Sequence, residues 1–232
     1  MIVKDFLRRA DRAAFAPRMD IYPRTIATIL DDDYQSLLDV GCGARSPLGV
    51  ACARIPVTMG VDAHEESIRQ SRSEGVHDDY VCMDILGIAE HFGPDSFDVV
   101  AALDVIEHLE KDEGFRLLRA LETVARRLVV VFTPNGFLVQ SALEGNPWQI
   151  HKSGWLVGDF QARGYEVLGM NGWKPLRGEE WQPRIRPAAL GHRLSALTQP
   201  LVTNRPRYAF QLLATRTQNT AGERSAGRHH PR

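Results

Sequence analysis

From residue 36 onward the chain alternates two hydrophobic patterns. Short, nearly continuous apolar runs stand at SLLDV (36–40), VTMGV (57–61), DYVCM (79–83), FDVVAAL (97–103) and RLVVVFT (127–133). Each is bounded by Gly, Asp or Pro, as expected of strands buried on both faces. Between them, stretches at 48–54, 64–74, 85–91 and 111–126 have helical spacing. Strict alternation of strand and helix predicts right-handed crossovers and a doubly wound, mostly parallel sheet of the α/β class. SGWLVGDFQARGYEVLGMNG (153–172) predicts a helix, a glycine break and a sixth strand; RYAFQLLATR (207–216) predicts a seventh.

The flanks read differently. Residues 4–30 are amphipathic helix interrupted near Pro17 and Pro23, which makes 1–34 an N-terminal helical flap ahead of a main domain at 35–216. The stretch 173–206 holds Pro175, Pro183, Pro187 and Pro200 with Trp173 and Trp181, and is too long for a turn. It predicts a substrate-side insertion before the last strand, packed over one end of the sheet. Residues 217–232 lack apolar periodicity and predict a disordered tail.

Composition narrows the function classes. A hydrophobic fraction of 44% and a charged fraction of 25% are those of a soluble globular chain. A formal net charge of −1 gives no electrostatic case for a nucleic-acid partner. Three cysteines without C-x-x-C spacing argue against a disulfide framework and a zinc site. The opening MIVKDFLRRADRAAF is broken by charges, unlike a signal peptide or membrane span. A cytoplasmic protein with no membrane partner is expected; nothing signals an oligomeric state.

The candidate chemistry lies at the strand ends, where open α/β sheets bind ligands. Four successive strands end in acid: Asp39, Asp62, Asp84 and Asp104. Any one suits a helix N-cap. Four on one edge suit a ligand with a cationic end, a ribose diol and an amino-substituted heterocycle. The first turn reads Gly41-Cys42-Gly43-Ala44-Arg45-Ser46, with serine where dinucleotide-binding turns carry glycine or alanine. A pyrophosphate also disfavours a nearby carboxylate such as Asp39. S-adenosylmethionine has no phosphate, and its ammonium suits Asp39 directly or through water. It is therefore preferred over NAD(P).

With these residues in place, the chain resembles the class I S-adenosylmethionine-dependent methyltransferases over about residues 35–172 plus the last strand. LLDVGCG matches the family's first motif, GVDAHEESI (60–68) its second, CMDI (82–85) its third and FDVVAALDVIEHL (97–109) its fourth. The resemblance implies a Rossmann-like methyltransferase fold of seven strands. It implies cofactor contacts at Asp39, Gly41, Cys42 and Gly43 near the methionine part, and at Asp62 and Ala63 near the ribose. It also implies Asp84 and Ile85 at the adenine and the Leu103 backbone beside the cofactor. Arg45 departs from the glycine common in the family and leaves the path of that loop open.

Methyl transfer needs positioning and, for a hydroxyl or amine, a proton acceptor. His108, in Asp104-Val-Ile-Glu107-His108, is the catalytic candidate as a general base. Glu107 and His108 also suit a helix start. The D-x-x-E-H order further resembles that of small-RNA 2′-O-methyltransferases, where the pair helps hold a divalent metal. A divalent ion takes about six ligands and this segment offers at most three, so no metal site is assigned; the remainder would have to come from water, substrate or a distant residue such as His151. Asn135, Trp148 and His151 are expected near the acceptor. The expected activity is methylation of an O, N or C atom of a small molecule. Alternatives are a non-catalytic cofactor-binding or assembly module and an RNA or protein methyltransferase.

Overall fold

The computed structural model describes residues 21–30, 33–141, 147–178 and 183–218. The expectations for most of the flap, for the tail beyond 218 and for Trp181 lie outside them.

A helix α1 (Ile21–Ile29) precedes five β/α steps: β1 (Ser36–Val40), α2 (Gly49–Cys52), β2 (Val57–Asp62), α3 (Glu65–Glu74), β3 (Asp79–Cys82), α4 (Ile88–Phe92), β4 (Phe97–Leu103), α5 (Lys111–Val124) and β5 (Ala125–Pro134). Then follow α6 (Val157–Gln161), β6 (Glu166–Trp173), α7 (Ala188–Thr203) and β7 (Ala209–Thr217). The seven strands form one sheet in the order β3-β2-β1-β4-β5-β7-β6. Strands β1 to β5 are parallel, and β7 runs antiparallel between β5 and β6. The sheet is the doubly wound, mostly parallel one the sequence predicts.

The unbroken apolar runs follow from burial on both faces. Every residue of β4 is buried. Val100 and Ala102 face a core layer shared with Leu117, Leu118, Leu121 and Val124 of α5. Val99, Ala101 and Leu103 face the opposite layer, closed by Ile26 and Leu30 at the N-terminal helix. Alternate residues of one strand thus feed two cores, as a strand period of two requires. Helix α5 starts with a capping box in which Glu110 and Glu113 satisfy each other's backbone N–H groups.

The insertion departs from expectation. It carries the 16-residue α7, which packs along edge strand β6 and not over an end of the sheet. Two glycines of β6 permit the approach. A Cβ on Gly169 would stand 2.2 Å from the Val202 carbonyl oxygen, and one on Gly172 2.2 Å from that of Ser195. Gln199 of α7 fastens the contact, donating to the Gly169 carbonyl at 2.7 Å and accepting from Gly172 N–H at 3.0 Å.

Candidate active site

At the carboxyl edge, β1 turns sharply through Gly41 and Gly43, both at positive φ (73° and 59°). Gly41 N–H and Cys42 N–H donate to the Val61 carbonyl at 2.7 and 3.0 Å. A side chain at Gly41 would collide with Val105, 2.5 Å from a built Cβ. Glycine there lets the turn pass the start of the β4–α5 connection.

Asp62, at the end of β2, holds this turn. Its Oδ2 accepts from Gly43 N–H and its Oδ1 from His64 N–H, each at 2.8 Å. Asp84 accepts from Leu86 N–H at 2.9 Å and so caps a short 3-10 turn, Ile85–Gly87. Gly41, Asp62, Ala63, Asp84 and Ile85 all line one cleft of about 610 Å³, partly open to solvent. Five of the nine expected cofactor residues therefore meet in one cavity.

The other four stand differently. Asp39 is only 2% exposed and lies beneath the turn. Its Oδ2 accepts from Ser46 Oγ at 2.5 Å and lies 3.1 Å from Nε2 of the buried His77. Asp39 thus braces the turn from beneath and does not line the cleft. Ser46 stands at the unusual sixth position because its hydroxyl bonds Asp39 while accepting from Leu48 N–H at 3.1 Å. Cys42 points into an apolar cluster with Ile68 and Tyr80, and burial followed by the charges of Asp39 and Asp62 pushes its thiol far above the usual range. Gly43 is fixed to Asp62 as above. Leu103 is buried in the core, so its side chain faces away from the cleft.

The opposite wall holds Asp104, Val105, His108, Leu109, Trp148 and Gln149. Asp104 has φ = 53°, an unusual conformation for any residue but glycine or asparagine. Its Oδ1 accepts from Gln211 Nε2 at 3.4 Å, and Gln211 in turn accepts from Asn171 Nδ2 at 2.5 Å. Burial raises the Asp104 carboxyl to about 7. Burial, then the neighbouring Asp104 charge, raises Glu107 well above the carboxylate range. Glu107 is 1% exposed; one oxygen accepts from Thr133 Oγ1 at 2.9 Å, and the other, Oε1, has no partner among the described residues.

His108 and His151 stack edge to face at 4.8 Å. His108 Nδ1 is 3.2 Å from the Ile150 carbonyl and His151 Nδ1 is 2.7 Å from that of Leu138. Each Nδ1 carries the proton, since a carbonyl can only accept, and each Nε2 keeps its lone pair. Burial, then the His151 charge, lowers His108 to about 4, and burial lowers His151. Both rings are neutral at pH 7.

Glu107, His108 and His151 each offer a ligand atom, all within 4.8 Å of one another. Two neutral imidazoles held at Nδ1 by backbone carbonyls, and a buried carboxylate oxygen without a partner among the described residues, fit a divalent cation. The fold brings His151, the distant residue named from the sequence, to Glu107 and His108. His151 is a buried member of the cluster, while Trp148 is half exposed at the cleft mouth. Asn135, expected near the acceptor, is structural: its Nδ2 donates to the carbonyls of Pro206, Arg207 and Ala209 at 3.1, 3.2 and 2.8 Å. Thr133, Gln211 and Asn171 carried no local sequence signal.

Residues 38–139 match the family model described as a methyltransferase domain. The curated ubiquinone biosynthesis O-methyltransferase of Idiomarina loihiensis is 29% identical over 160 residues, 67% of this chain. The chain spans 58% of that relative's length. Among solved structures, a SAM-dependent methyltransferase from Archaeoglobus fulgidus superposes with TM-score 0.54 at 16% identity, covering 88% of this chain and 98% of that one. Magnesium protoporphyrin IX methyltransferase from Synechocystis PCC 6803 gives 0.53 at 13%, covering 92% and 88%. The small RNA methyltransferase HEN1 gives 0.56 at 16%, covering 85% of this chain and 25% of that one.

Proposed function

We propose that this chain, a class I S-adenosylmethionine-dependent methyltransferase by its fold and motif order, methylates an oxygen of a small-molecule acceptor. The observation that carries the reading is the single cleft with two unlike walls. One wall is the glycine turn with Asp62 and Asp84; the other is the acid–imidazole cluster at Asp104–His108. In the reaction the acceptor oxygen attacks the methyl carbon, the carbon–sulfur bond breaks, and S-adenosylhomocysteine leaves. The acceptor hydroxyl's proton passes to the cluster. The turn and Asp62 would hold the methionine and ribose parts, and Asp84 the adenine.

A proton acceptor at the cleft suits a hydroxyl or an amine, and oxygen is favoured because the curated relative is by name an O-methyltransferase. At neutral pH His108 is unprotonated and accepts a proton, but with a pKa near 4 it is a weak base. That favours a second role for the cluster, carried by the unpartnered Glu107 Oε1. Glu107, His108 and His151 would hold a divalent cation, with Asp104 beside them. A bound cation supplies charge that makes an acceptor hydroxyl easier to ionise. These residues would hold it and fix the acceptor's orientation.

The test is incubation with labelled S-adenosylmethionine and a small-molecule extract, followed by mass spectrometry of labelled products. Label on an ether oxygen supports the reading; label only on RNA or protein, or none, overturns it. Turnover abolished by chelator and restored by magnesium or manganese supports the cation; turnover indifferent to chelator but lost in His108→Ala supports His108 alone.

A further inference from the structure

Helix α7 buries a face of small and polar residues: Ser195, Gln199 and Val202 meet β6, and Gly191 meets Pro183 and Ile185. Its outer face presents Leu190, Leu197 and Leu201 at positions i, i+7 and i+11, a single stripe on a helix. These leucines are 45%, 73% and 64% exposed. Trp173 and Tyr208, at the two ends of the insertion, are also exposed. A surface leucine alone needs no explanation, but a stripe of three flanked by exposed aromatic residues does.

The charge around the stripe is one-sided. From Pro183 to Tyr208 the sequence holds five arginines (184, 186, 193, 205 and 207) and no acidic residue, in a chain of net charge −1. All five arginines are exposed. Arginines bordering an apolar helical stripe complement a surface that is anionic outside and apolar just beneath. A nucleic acid would leave the leucines in water. No helix among the described residues is long and apolar enough to cross a membrane.

We propose that the outer face of α7 docks on an anionic lipid bilayer. Leu190, Leu197 and Leu201 enter the boundary between head groups and acyl chains, and the flanking arginines meet the head groups. This goes beyond the absence of a membrane partner expected from the sequence, which considered spans alone. The orientation has a use. Ser195 packs at Gly172 and Val202 at Gly169, so α7 runs antiparallel to β6. Its Leu190 end therefore lies toward the strand edge that carries the cleft. An apolar acceptor dissolved in the bilayer would reach the cleft without crossing bulk water.

The test is vesicle co-sedimentation of the full chain with phosphatidylcholine alone and with phosphatidylcholine and phosphatidylglycerol at about 7:3, at low and high salt. Expected is binding to the anionic vesicles at low salt, weak binding to neutral ones, and loss at high salt. Leu197→Glu with Leu201→Glu should weaken binding at least about tenfold, from the transfer energy of two leucines. Arg193→Glu with Arg205→Glu should weaken it at low salt. The two leucines lie on the surface, so thermal melts of the leucine variant should match the wild type. The idea fails if anionic vesicles do not bind the wild type, or bind the leucine variant equally well. It also fails if the wild type is a dimer that the leucine variant converts to monomer without any vesicle binding, which would assign the stripe to a second copy. None of these readouts depends on methyl transfer.

Discussion

Asp104→Asn tests the electrostatics of the cleft most directly. The carboxyl is held near 7 against an ordinary 3.8, because burial disfavours its charged form. A folded-state pKa above the unfolded one means that the folded chain binds more protons in between. The resulting stability is complete below about 4 and is lost as pH rises through about 7. Carried to pH 8, the difference is roughly 4 kcal/mol. Water in the cleft relieves part of it, since Asp104 is not fully covered, so about 2–4 kcal/mol should be seen. Asparagine keeps the side chain's shape, tolerates the φ of 53°, and still accepts from Gln211. In chelator, Asp104→Asn should therefore match the wild type near pH 4 and exceed it at pH 8, by several degrees in Tm. Thermal melts of both proteins from pH 4 to 8 give the comparison, and other titrating groups largely cancel in the difference. A variant no more stable than the wild type at pH 8 would refute a buried, energetically costly carboxylate at this position. With manganese added, the order should reverse, because the variant has lost a charge beside the proposed cation site.

Three further outcomes follow from packing and hydrogen bonds. Asp62→Ala should weaken S-adenosylmethionine binding by roughly 1–3 kcal/mol in calorimetry, since it removes both the proposed acceptor for the ribose and the tether of Gly43. An unchanged Kd in a folded variant would move the ribose site elsewhere. Gly114→Ala should destabilise by about 1–3 kcal/mol in urea, because its Cβ would stand 2.3 Å from the fully buried Trp155 ring. Asn135→Ala should lower stability by about 1–3 kcal/mol, leaving three carbonyls without their donor, while cofactor Kd stays unchanged.

The parallel half was legible because burial on two faces leaves continuous apolar runs: β4 spans 97–103 as read, and β1 36–40. Strand β5 begins two residues early: Ala125 pairs with Phe97, and Arg126 and Arg127 fall in an irregularity before the ladder resumes at Leu128; Arg126 pairs with Asp98 at 2.6 Å. Helix α7 was not legible. Its buried face carries Gly, Ser and Gln while its leucines point outward, so the usual rule for the inner face selects the wrong side. In the site, Glu107 and His108 could be read together because one turn joins them. His151 and Gln211 arrive from remote segments; Gln211 lies 107 residues from the carboxylate it bonds, and only topology brings it there. Asp39 was visible as an acid, but His77 behind it was not, so its engagement by buried partners could not be foreseen.

The insertion leaves and re-enters the sheet at neighbouring positions, since Trp173 at the end of β6 pairs with Ala209 at the start of β7. A segment whose ends are already adjacent adds little closure entropy when lengthened, because that term grows only with the logarithm of loop length. The sheet can therefore carry insertions of very different size at this point with little change to its own ladder. Only Gly169 and Gly172, the two notches that admit α7, record the shape of the present occupant. Grafting another helix there would alter the exterior face while β1 to β4, with the glycine turn and its carboxylates, stayed as they are. The division between a fixed donor half and an exchangeable outer half is thus written into the strand order, where the antiparallel β7 separates β6 from the parallel block.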